Sequence, residues 1–376
     1  MTRPVRVLYL VADVSRMAGA NRSLLELVRS LPPERVQPVV VATGEGPVAQ
    51  AYRDAGVACT VLRTGDRLNS TDGALLRASA LARARIALGE LLPFTRQLRR
   101  LLREREIDLV HVNDARGAGI VAAAARLAGV PVVGHLRGEL RHEGMARWVA
   151  ENVPARIVAV SEGARLTLSP RARTRAVTVY NGIAETPRTL PIPFLQSLRD
   201  RGVRIVCCFA TLVPFKGHHH LLEAVALLNR RGWRDRMAVV CIGDITPRGG
   251  SYFDWIGRSA RRLEVDNVTF AGWHDVPFSF YPYADLCVLP SVSAEVLEMD
   301  GERIEVRGSE GFPRTHLEAM RFGVPVVGTR IAGVPEQVEH GVTGFVVEPG
   351  DPAALADAME QLLASPEPAR SMGRAG

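Results

Sequence analysis

The chain has 376 residues, 47% of them apolar, with 34 Gly and 24 Pro, a globular composition long enough for two domains. The formal net charge of +7 is unevenly shared: residues 1–185 carry 27 arginines against 17 acidic residues (+10), and residues 186–376 carry 20 basic against 23 acidic residues (−3). Aromatic residues make up only 6% and are not interleaved with the arginines, so nucleic acid is not an expected partner.

The N-terminal apolar run is short and ends at Asp13, so it predicts a first buried strand and not a signal peptide. No apolar run approaches the ~20 residues of a membrane helix. Five scattered cysteines show neither zinc-site spacing nor a disulfide framework, so a cytoplasmic location is expected.

The arginines between positions 77 and 105 have two interpretations. They form solvated helix faces, or they bring the first domain to an anionic membrane surface or a phosphate-bearing acceptor.

Short Val/Ile/Leu runs without polar alternation, typical of parallel strands buried on both faces, alternate with helical patterns through the first half. The predicted strands are 5–12, 36–42, 57–62, 108–112, 131–136, 155–160 and 177–180. The predicted helices are 21–31, 47–56, 73–105 with an interruption at Pro93, 116–128, 141–152 and 162–169. Prolines in the stretch 186–202 predict a linker.

The second half repeats the alternation. Its predicted strands are 203–210, 237–243, 267–271, 285–289, 324–328 and 344–347, and its predicted helices are 218–231, 250–263, 315–322 and 352–364. We therefore predict an α/β fold of two doubly wound, Rossmann-like domains, 1–185 and 203–376, facing across a cleft. Ligands of such sheets bind outside the carboxyl ends of the strands.

Several nucleotide-binding motifs are missing from the sequence. No Gly-x-Gly-x-x-Gly follows the first strand, which weakens a dinucleotide oxidoreductase, and no Gly-x4-Gly-Lys-Ser/Thr occurs, which excludes an ordinary P-loop. No Asp-x-Asp occurs, so a metal-bridged diphosphate has no obvious ligands. The three consecutive histidines at 218–220 would point in different directions on a helix, so convergence on one ion is not expected. We therefore expect no metal and no other cofactor.

Residues 309–320, SEGFPRTHLEAM, place two glutamates around a loop-to-helix transition. Gly311 and the proline two residues later keep the backbone out of a helix, and Thr315 can start one. Glu310 is then on the loop and Glu318 about one turn into the helix. The helix N-terminus between them exposes N–H groups and positive dipole, which suit an anion. This arrangement matches the needs of a nucleotide sugar, with one carboxylate at the sugar, one at the ribose and the diphosphate between them.

Lys216 is the only lysine of the chain, beside 46 arginines. Its compact ammonium suits a point-charge contact with phosphate. It lies in residues 207–218, CCFATLVPFKGH, a predicted strand, turn and helix start. A solvated turn residue is the other interpretation.

These motifs resemble those of the family 4 glycosyltransferases. The resemblance includes the Glu-x7-Glu signature at 310–318, the Gly-Arg-Leu-x3-Lys-Gly element at 210–217, and shorter elements at 16–27, 159–162 and 179–183. The match is loose in residues 1–200 and tight in 203–360. It implies the GT-B architecture, with an acceptor-binding first domain and a nucleotide-sugar-binding second domain. It also implies retaining transfer of a hexosyl group from a UDP- or GDP-sugar.

The resemblance also implies site residues. Glu310 would lie by the donor sugar and steady positive charge there, and His135 and Arg137 would lie near the reacting sugar, Arg137 at the position where the family has a histidine. The implied donor-binding residues are Gly19, Thr211, Lys216, Arg314, Thr315 and Glu318. Thr211 stands where the family has an arginine.

The resemblance implies that the acceptor is a glycan, a lipid-linked molecule or a small molecule. It also implies a role in the synthesis of cell-envelope or other glycans. Two other functions stay open, a sugar-nucleotide epimerase, which would turn over without an acceptor, and a non-catalytic sugar-nucleotide binding protein. The segment between Ser291 and Glu310 is about fourteen residues longer than the corresponding segment usually is in the family. Gly301 between alternating stretches predicts a small hairpin at the mouth of the donor site, either a lid or selector or a neutral insertion.

Overall fold

The computed structural model describes residues 3–15, 17–65, 79, 85–183, 188–245 and 250–376. These residues form two compact units, Met1–Gly182 and Ile183–Gly376. Most of the predicted helix at 73–84 lies outside the described residues, as do Arg77 and Arg83. None of the helices in the described ranges is long and apolar enough to cross a membrane.

The first unit contains a seven-stranded sheet in the order β3-β2-β1-β4-β5-β6-β7, with every pairing parallel. Its strands are β1 Val5–Val11, β2 Val36–Ala42, β3 Cys59–Val61, β4 Leu109–Val112, β5 Val132–Leu136, β6 Arg156–Ala159 and β7 Ala176–Thr178. β1 lies between β2 and β4, where the strand order reverses. All seven strands were predicted, because strands buried on both faces produce uninterrupted apolar runs.

Helices cover both faces of this sheet. They span Gly19–Ser30, Pro47–Asp54, Leu92–Glu104, Ala115–Ala128, Gly144–Asn152, Glu162–Leu166 and Pro170–Arg173. Alternate residues of β1 enter different cores, with Leu8 in one cluster and Tyr9 in the other. Leu98 and Leu102 lie one turn apart on Leu92–Glu104 and are buried in the first of these cores.

The second unit contains a six-stranded parallel sheet in the order β10-β9-β8-β11-β14-β15. Its strands are β8 Arg204–Phe209, β9 Met237–Ile242, β10 Val268–Gly272, β11 Leu286–Leu289, β14 Val326–Thr329 and β15 Gly344–Val347. The α-helices span Pro193–Asp200, His218–Leu228, Gly250–Arg262, Arg314–Arg321, Val334–Gln337, Pro352–Ala364 and Pro366–Ala375. Short 3₁₀ turns occur at Pro214–Lys216 and Pro277–Tyr283.

The predicted hairpin is present as two antiparallel strands, β12 Ala294–Met299 and β13 Glu302–Arg307. Asp300 and Gly301 at its turn have φ of 55° and 84°, the left-handed conformations that a two-residue type I′ turn requires. Leu297 and Val306 of the hairpin are buried in the largest core cluster of the second unit. One face of the hairpin is therefore part of the domain core.

The segment 186–202 differs from the predicted linker. Pro193–Asp200 is a helix, and its Leu195 and Leu198 are buried in a core of the second unit. Pro193 begins the helix, because its fixed φ and missing N–H are tolerated in the first turn. The prolines that predicted a linker include one that starts this helix, and the division between the units falls earlier, after Gly182.

The helix Pro193–Asp200 gives a matched pair of variants. Leu195→Ala removes a fully buried side chain and should lower the free energy of unfolding by about 2–5 kcal/mol. Phe194→Ala removes an adjacent side chain that is 52% exposed and should have a much smaller effect. Urea unfolding followed by circular dichroism measures both. Equal, small effects would contradict the placement of this helix in the second core.

Candidate functional site

The polar groups of the second unit gather beyond the carboxyl ends of its strands. Lys216 follows β8, Ser291 follows β11, and Glu310 lies in the loop before the helix Arg314–Arg321. The Lys216 Nζ and Glu310 Oε1 atoms form an ion pair, and Ser291 Oγ donates a hydrogen bond of 2.7 Å to the same carboxylate oxygen. Both charged side chains are largely buried, 18% and 8% exposed. Their pairing offsets the desolvation that burial imposes on each charge.

Two glycines allow the chain to approach Lys216 closely. Gly217 has φ of +70°, and a Cβ atom there would lie 1.9 Å from the carbonyl oxygen of Pro290. A Cβ atom on Gly308, at the end of the hairpin, would lie 2.1 Å from the Phe215 ring. Any side chain at either glycine would therefore push the lysine turn away from its neighbours.

Ser291 is itself held in place. It is fully buried, and its carbonyl oxygen accepts a hydrogen bond from Thr329 Oγ1 at the end of the neighbouring strand β14. The carbonyl of Glu310 accepts a bond of 3.4 Å from the N–H of Gly333. The carboxylate of Glu310 is thus fixed through both its side chain and its backbone.

Glu318 lies on the helix Arg314–Arg321 and is 6% exposed. Its Oε2 accepts a hydrogen bond of 3.0 Å from the hydroxyl of Tyr281, and its Oε1 lies 3.3 Å from Arg314 Nη2. Arg314 therefore occurs in the site as the partner of Glu318, one turn away on the same helix.

The helix begins at Arg314 and not at Thr315, with Pro313 in the capping position and no side-chain cap. Proline cannot supply the side-chain oxygen that usually satisfies the first N–H groups. Among the described residues, the buried hydroxyl of Thr315 has no hydrogen-bond partner. The uncapped helix end lies in the chain between Glu310 and Glu318, as the sequence predicts.

The same helix carries His316, which is fully buried and lies 3.2 Å through Nδ1 from Gln337 Oε1. Burial lowers the pKa of this imidazole to about 4, although the nearby Glu310 acts in the opposite direction. His316 is therefore neutral at physiological pH.

Of the first unit's predicted residues, His135 and Arg137 lie at the end of β5. His135 Nδ1 is 3.2 Å from His111 Nε2, and both rings are buried. Burial and the nearby Arg137 lower the pKa of His111 to about 4 and that of His135 well below 6.5. Arg137 donates bonds of 2.8 Å to Asn113 Oδ1 and 2.9 Å to Asn181 Oδ1. The end of β5 therefore holds a neutral imidazole, His135, close to a guanidinium, Arg137, that is fixed by two hydrogen bonds.

The structure gives the positions of two further predicted donor-binding residues, Gly19 and Thr211. Gly19 is the first residue of the helix Gly19–Ser30, after the loop that follows β1. Thr211 is half-buried in the turn after β8, and its carbonyl accepts a bond of 2.9 Å from Val213 N–H. Their roles stay predictions.

The second unit thus pairs Lys216 with Glu310 and Arg314 with Glu318, and Thr315 lies in the first turn of the helix that follows Glu310 in the chain. Sequence reasoning missed Ser291 and Tyr281. Ser291 had a usable signal, since it directly follows a predicted parallel strand, whereas a tyrosine more than thirty residues before Glu318 has none. Two groups of possible metal ligands occur among the described residues, and neither includes Glu310 or Glu318.

Each of the two units matches a known protein-family model. Residues 17–186 match the family model described as Glycosyltransferase Family 4, and residues 194–376 match that described as Glycosyl transferases group 1. The chain is 30% identical over 304 residues to the GDP-mannose-dependent alpha-(1-6)-phosphatidylinositol monomannoside mannosyltransferase of Mycobacterium tuberculosis H37Rv, covering 74% of this chain and 73% of that protein. The chain belongs to glycosyltransferase family 4. This confirms the resemblance, and the enzyme is a glycosyltransferase that uses nucleotide-sugar donors.

Solved structures agree on the fold of the glycosyltransferase. Anabaena HepE in complex with UDP and glucose matches with a TM-score of 0.78 at 20% identity, over 99% of this chain and 93% of that one. A putative UDP-N-acetylglucosamine 2-epimerase from Listeria monocytogenes matches with a TM-score of 0.65 at 15% identity, over 99% and 91%. These similarities confirm the predicted fold, two Rossmann-like domains of the GT-B class.

The low pKa of His316 predicts a pH dependence of the glycosyltransferase's stability. The folded state keeps His316 neutral, whereas the unfolded chain takes up a proton near the ordinary histidine pKa of about 6.5. This residue should therefore lower the free energy of unfolding as pH falls from about 6.5 to about 4, by on the order of 3 kcal/mol. His316→Gln should flatten the pH profile of the melting temperature in that window, while the exposed His142→Gln leaves it unchanged. Identical slopes in both variants would contradict the assignment.

Proposed function

We propose that the enzyme transfers a hexosyl group, with retention of configuration, from a nucleoside-diphosphate sugar to an acceptor hydroxyl, without a metal at the diphosphate. The observation that carries this proposal is the Lys216–Glu310–Ser291 cluster beside an uncapped helix N-terminus. A diphosphate needs positive charge and N–H donors, and this region offers both.

Lys216 would neutralise the leaving diphosphate. An ammonium has three hydrogens, so one can stay on Glu310 while others reach phosphate oxygens. The N–H groups in the first turn of the helix Arg314–Arg321, which no side chain caps, would bind further oxygens. Both contacts grow stronger as negative charge develops on the departing group, which is how such groups accelerate a reaction.

Glu310 would act by electrostatics. In the proposed transfer the bond between the anomeric carbon and the diphosphate oxygen breaks, and the acceptor oxygen forms its bond to that carbon on the same face. The acceptor proton passes to an oxygen of the departing diphosphate. A carboxylate held rigidly by Lys216 and Ser291 would stabilise the positive charge that the sugar ring carries at this stage.

Glu318 would bind the ribose hydroxyls. The contacts to Tyr281 and Arg314 hold this carboxylate in place, and carboxylate oxygens accept hydrogen bonds from hydroxyl groups such as those of a ribose. The neutral His135 and the fixed Arg137 of the first unit would lie towards the acceptor and the reacting sugar, where the guanidinium adds positive charge.

GDP-mannose is the first donor to test, since the mycobacterial relative that covers 74% of this chain is GDP-mannose-dependent. The acceptor we propose is a lipid-linked or other cell-envelope glycan. A sugar-nucleotide epimerase would instead convert donor without an acceptor, and a binding protein would leave the donor unchanged. Product analysis with and without a lipid extract of glycan acceptors separates the three functions.

The proposed roles of Glu310 and Lys216 predict that a substitution at Glu310 slows turnover without weakening nucleotide binding. Glu310→Gln should slow sugar transfer by about 10²-fold or more, because it removes the charge that stabilises the transition state. It should not weaken nucleotide binding, because Lys216 loses its competing partner. Transfer from radiolabelled donor and calorimetry with GDP or UDP measure the two effects. The exposed Glu339→Gln is the control, and a Glu310→Gln variant with full turnover would contradict the proposal.

We also propose that the first unit contacts an anionic membrane surface. This contact would bring the enzyme to a lipid-linked acceptor. The helix Gly144–Asn152 exposes Met145 (70%) and Trp148 (58%), which lie three residues apart and so share one face. Exposed tryptophan and apolar side chains suit the interfacial region of a bilayer. Exposed arginines on Leu92–Glu104 add attraction for anionic lipid.

This contact predicts co-sedimentation with phosphatidylglycerol vesicles at low salt, weaker at high salt and absent with phosphatidylcholine. The double substitution Met145→Ser, Trp148→Ser should weaken it several-fold, since apolar area would no longer be buried. Leu127→Ser, which alters a side chain 56% exposed on another helix, should leave it unchanged. No sedimentation of the unaltered enzyme with anionic vesicles at low salt would end this hypothesis.

A further inference from the structure

The three consecutive histidines after Lys216 have separate environments. His218 is fully buried with Nε2 4.0 Å from Cys208 Sγ. His219 and His220 instead lie with ring centroids 4.0 Å apart, and both face Glu295 of the hairpin. Three histidines do not converge on one point, as the sequence predicts, but two of them do, with a carboxylate from 75 residues away.

The contacts to Glu295 are short and differ in geometry. His220 Nε2 lies 2.8 Å from Glu295 Oε2 as a hydrogen bond. His219 Nε2 lies 2.9 Å from Glu295 Oε1, but the two atoms are not aligned as a hydrogen bond. Within the described residues neither of these two buried atoms has a hydrogen-bond partner. The His219 side chain is only 5% exposed, so water does not readily replace the missing partner.

Tyr252 can set the orientation of His219. Its hydroxyl oxygen lies 2.8 Å from His219 Nδ1 and 3.3 Å from the backbone N–H of the same residue. If Nδ1 carries the proton and donates it to Tyr252, the Nε2 lone pair faces Glu295. This is the arrangement in which a metal-binding imidazole is fixed by a hydrogen bond through its other nitrogen.

We propose that His219, His220 and Glu295 form a binding site for a divalent transition-metal ion of the Zn²⁺ class. One ligand atom from each residue lies within 4.8 Å of the others. Two imidazoles and one carboxylate suit Zn²⁺ and its neighbours, whereas Mg²⁺ and Ca²⁺ prefer oxygen ligands. Glu295 and His220 are 18% and 14% exposed, so an ion can enter and a water can complete its coordination.

The site would fasten the hairpin to the element that carries Lys216. Glu295 belongs to β12, and the two histidines lie in the first turn of His218–Leu228, directly after Gly217. The hairpin base already contacts this turn, since Val292 N–H donates a bond of 2.8 Å to the Phe215 carbonyl. A metal ion would add a cross-link here, apart from the diphosphate site, and would stabilise the folded state in proportion to its binding.

The test is metal binding by the full chain expressed without a histidine tag. Elemental analysis after dialysis, and calorimetric titration of Zn²⁺ and Co²⁺ into chelator-treated protein, should show one site that raises the melting temperature. Glu295→Gln and His220→Gln should each weaken this binding by about tenfold or more. Glu298→Gln, on an exposed glutamate of the same strand, is the matched control and should bind as the unaltered chain does.

Co²⁺ absorption distinguishes this site from the buried Cys208, His218 and Cys241 group, which is the other possible ligand cluster in the described part of the chain. Cobalt held by nitrogen and oxygen lacks the strong sulfur-to-metal charge-transfer band of a thiolate site. No binding, or binding with a thiolate band that Glu295→Gln leaves intact, would overturn the proposal. In the first case a protonated His220 paired with Glu295 accounts for the contact. Nucleotide binding is measured separately with chelator present, so failure here leaves the proposed transfer untouched.

Discussion

The buried ion pair between Lys216 and Glu310 is the interaction on which the architecture of the second unit's site depends. It joins two loops that are 94 residues apart in the chain, and Ser291 from a third strand end donates to the same carboxylate. A pair this little exposed is costly to leave incomplete, since removing one partner of a buried pair typically costs about 3–5 kcal/mol. The pair therefore fixes the relative positions of the lysine turn, the β11 end and the loop before the helix Arg314–Arg321.

Backbone constraints make this pairing possible. Gly217 and Gly308 leave no space for a side chain, so the turn that carries Lys216 lies directly against Pro290 and the hairpin. The hairpin is consequently part of the same assembly, with its apolar face in the domain core and Glu295 against two histidines next to the lysine turn. These contacts connect the hairpin to the lysine turn, and through it to the proposed diphosphate site.

The strands and most helices were predictable because their signal is local. Parallel strands buried on both faces give apolar runs, and all strands of both sheets lie within two residues of their predicted bounds. The Asp300–Gly301 turn was predictable for the same reason, since only a few residues accept the left-handed conformation. The helix Pro193–Asp200 was missed because its prolines resemble those of a linker, and proline also begins helices.

The site was predictable only where a residue carries chemistry by itself. A lone lysine and two glutamates around a helix start indicated the proposed diphosphate region, and the structure pairs Lys216 with Glu310. Ser291, Tyr281 and the meeting of His219 with Glu295 depend on tertiary packing between distant segments, which no spacing in the sequence encodes. Arg314 pairs with Glu318, because residues four apart on a helix are neighbours, and its predicted role in donor binding stays a prediction.

Calorimetric titration of GDP and UDP with chelator present decides whether the proposed diphosphate site at Lys216 exists. Saturable binding of one nucleotide without metal is expected. It should weaken at least about tenfold in Lys216→Met, because a point charge on phosphate is lost, and less in Lys216→Arg, which keeps the charge but not the compact ammonium. Melting temperatures of both variants confirm that the protein titrated is folded. Binding that requires a divalent ion, or that is unchanged in a folded Lys216→Met variant, would contradict a diphosphate site built on Lys216.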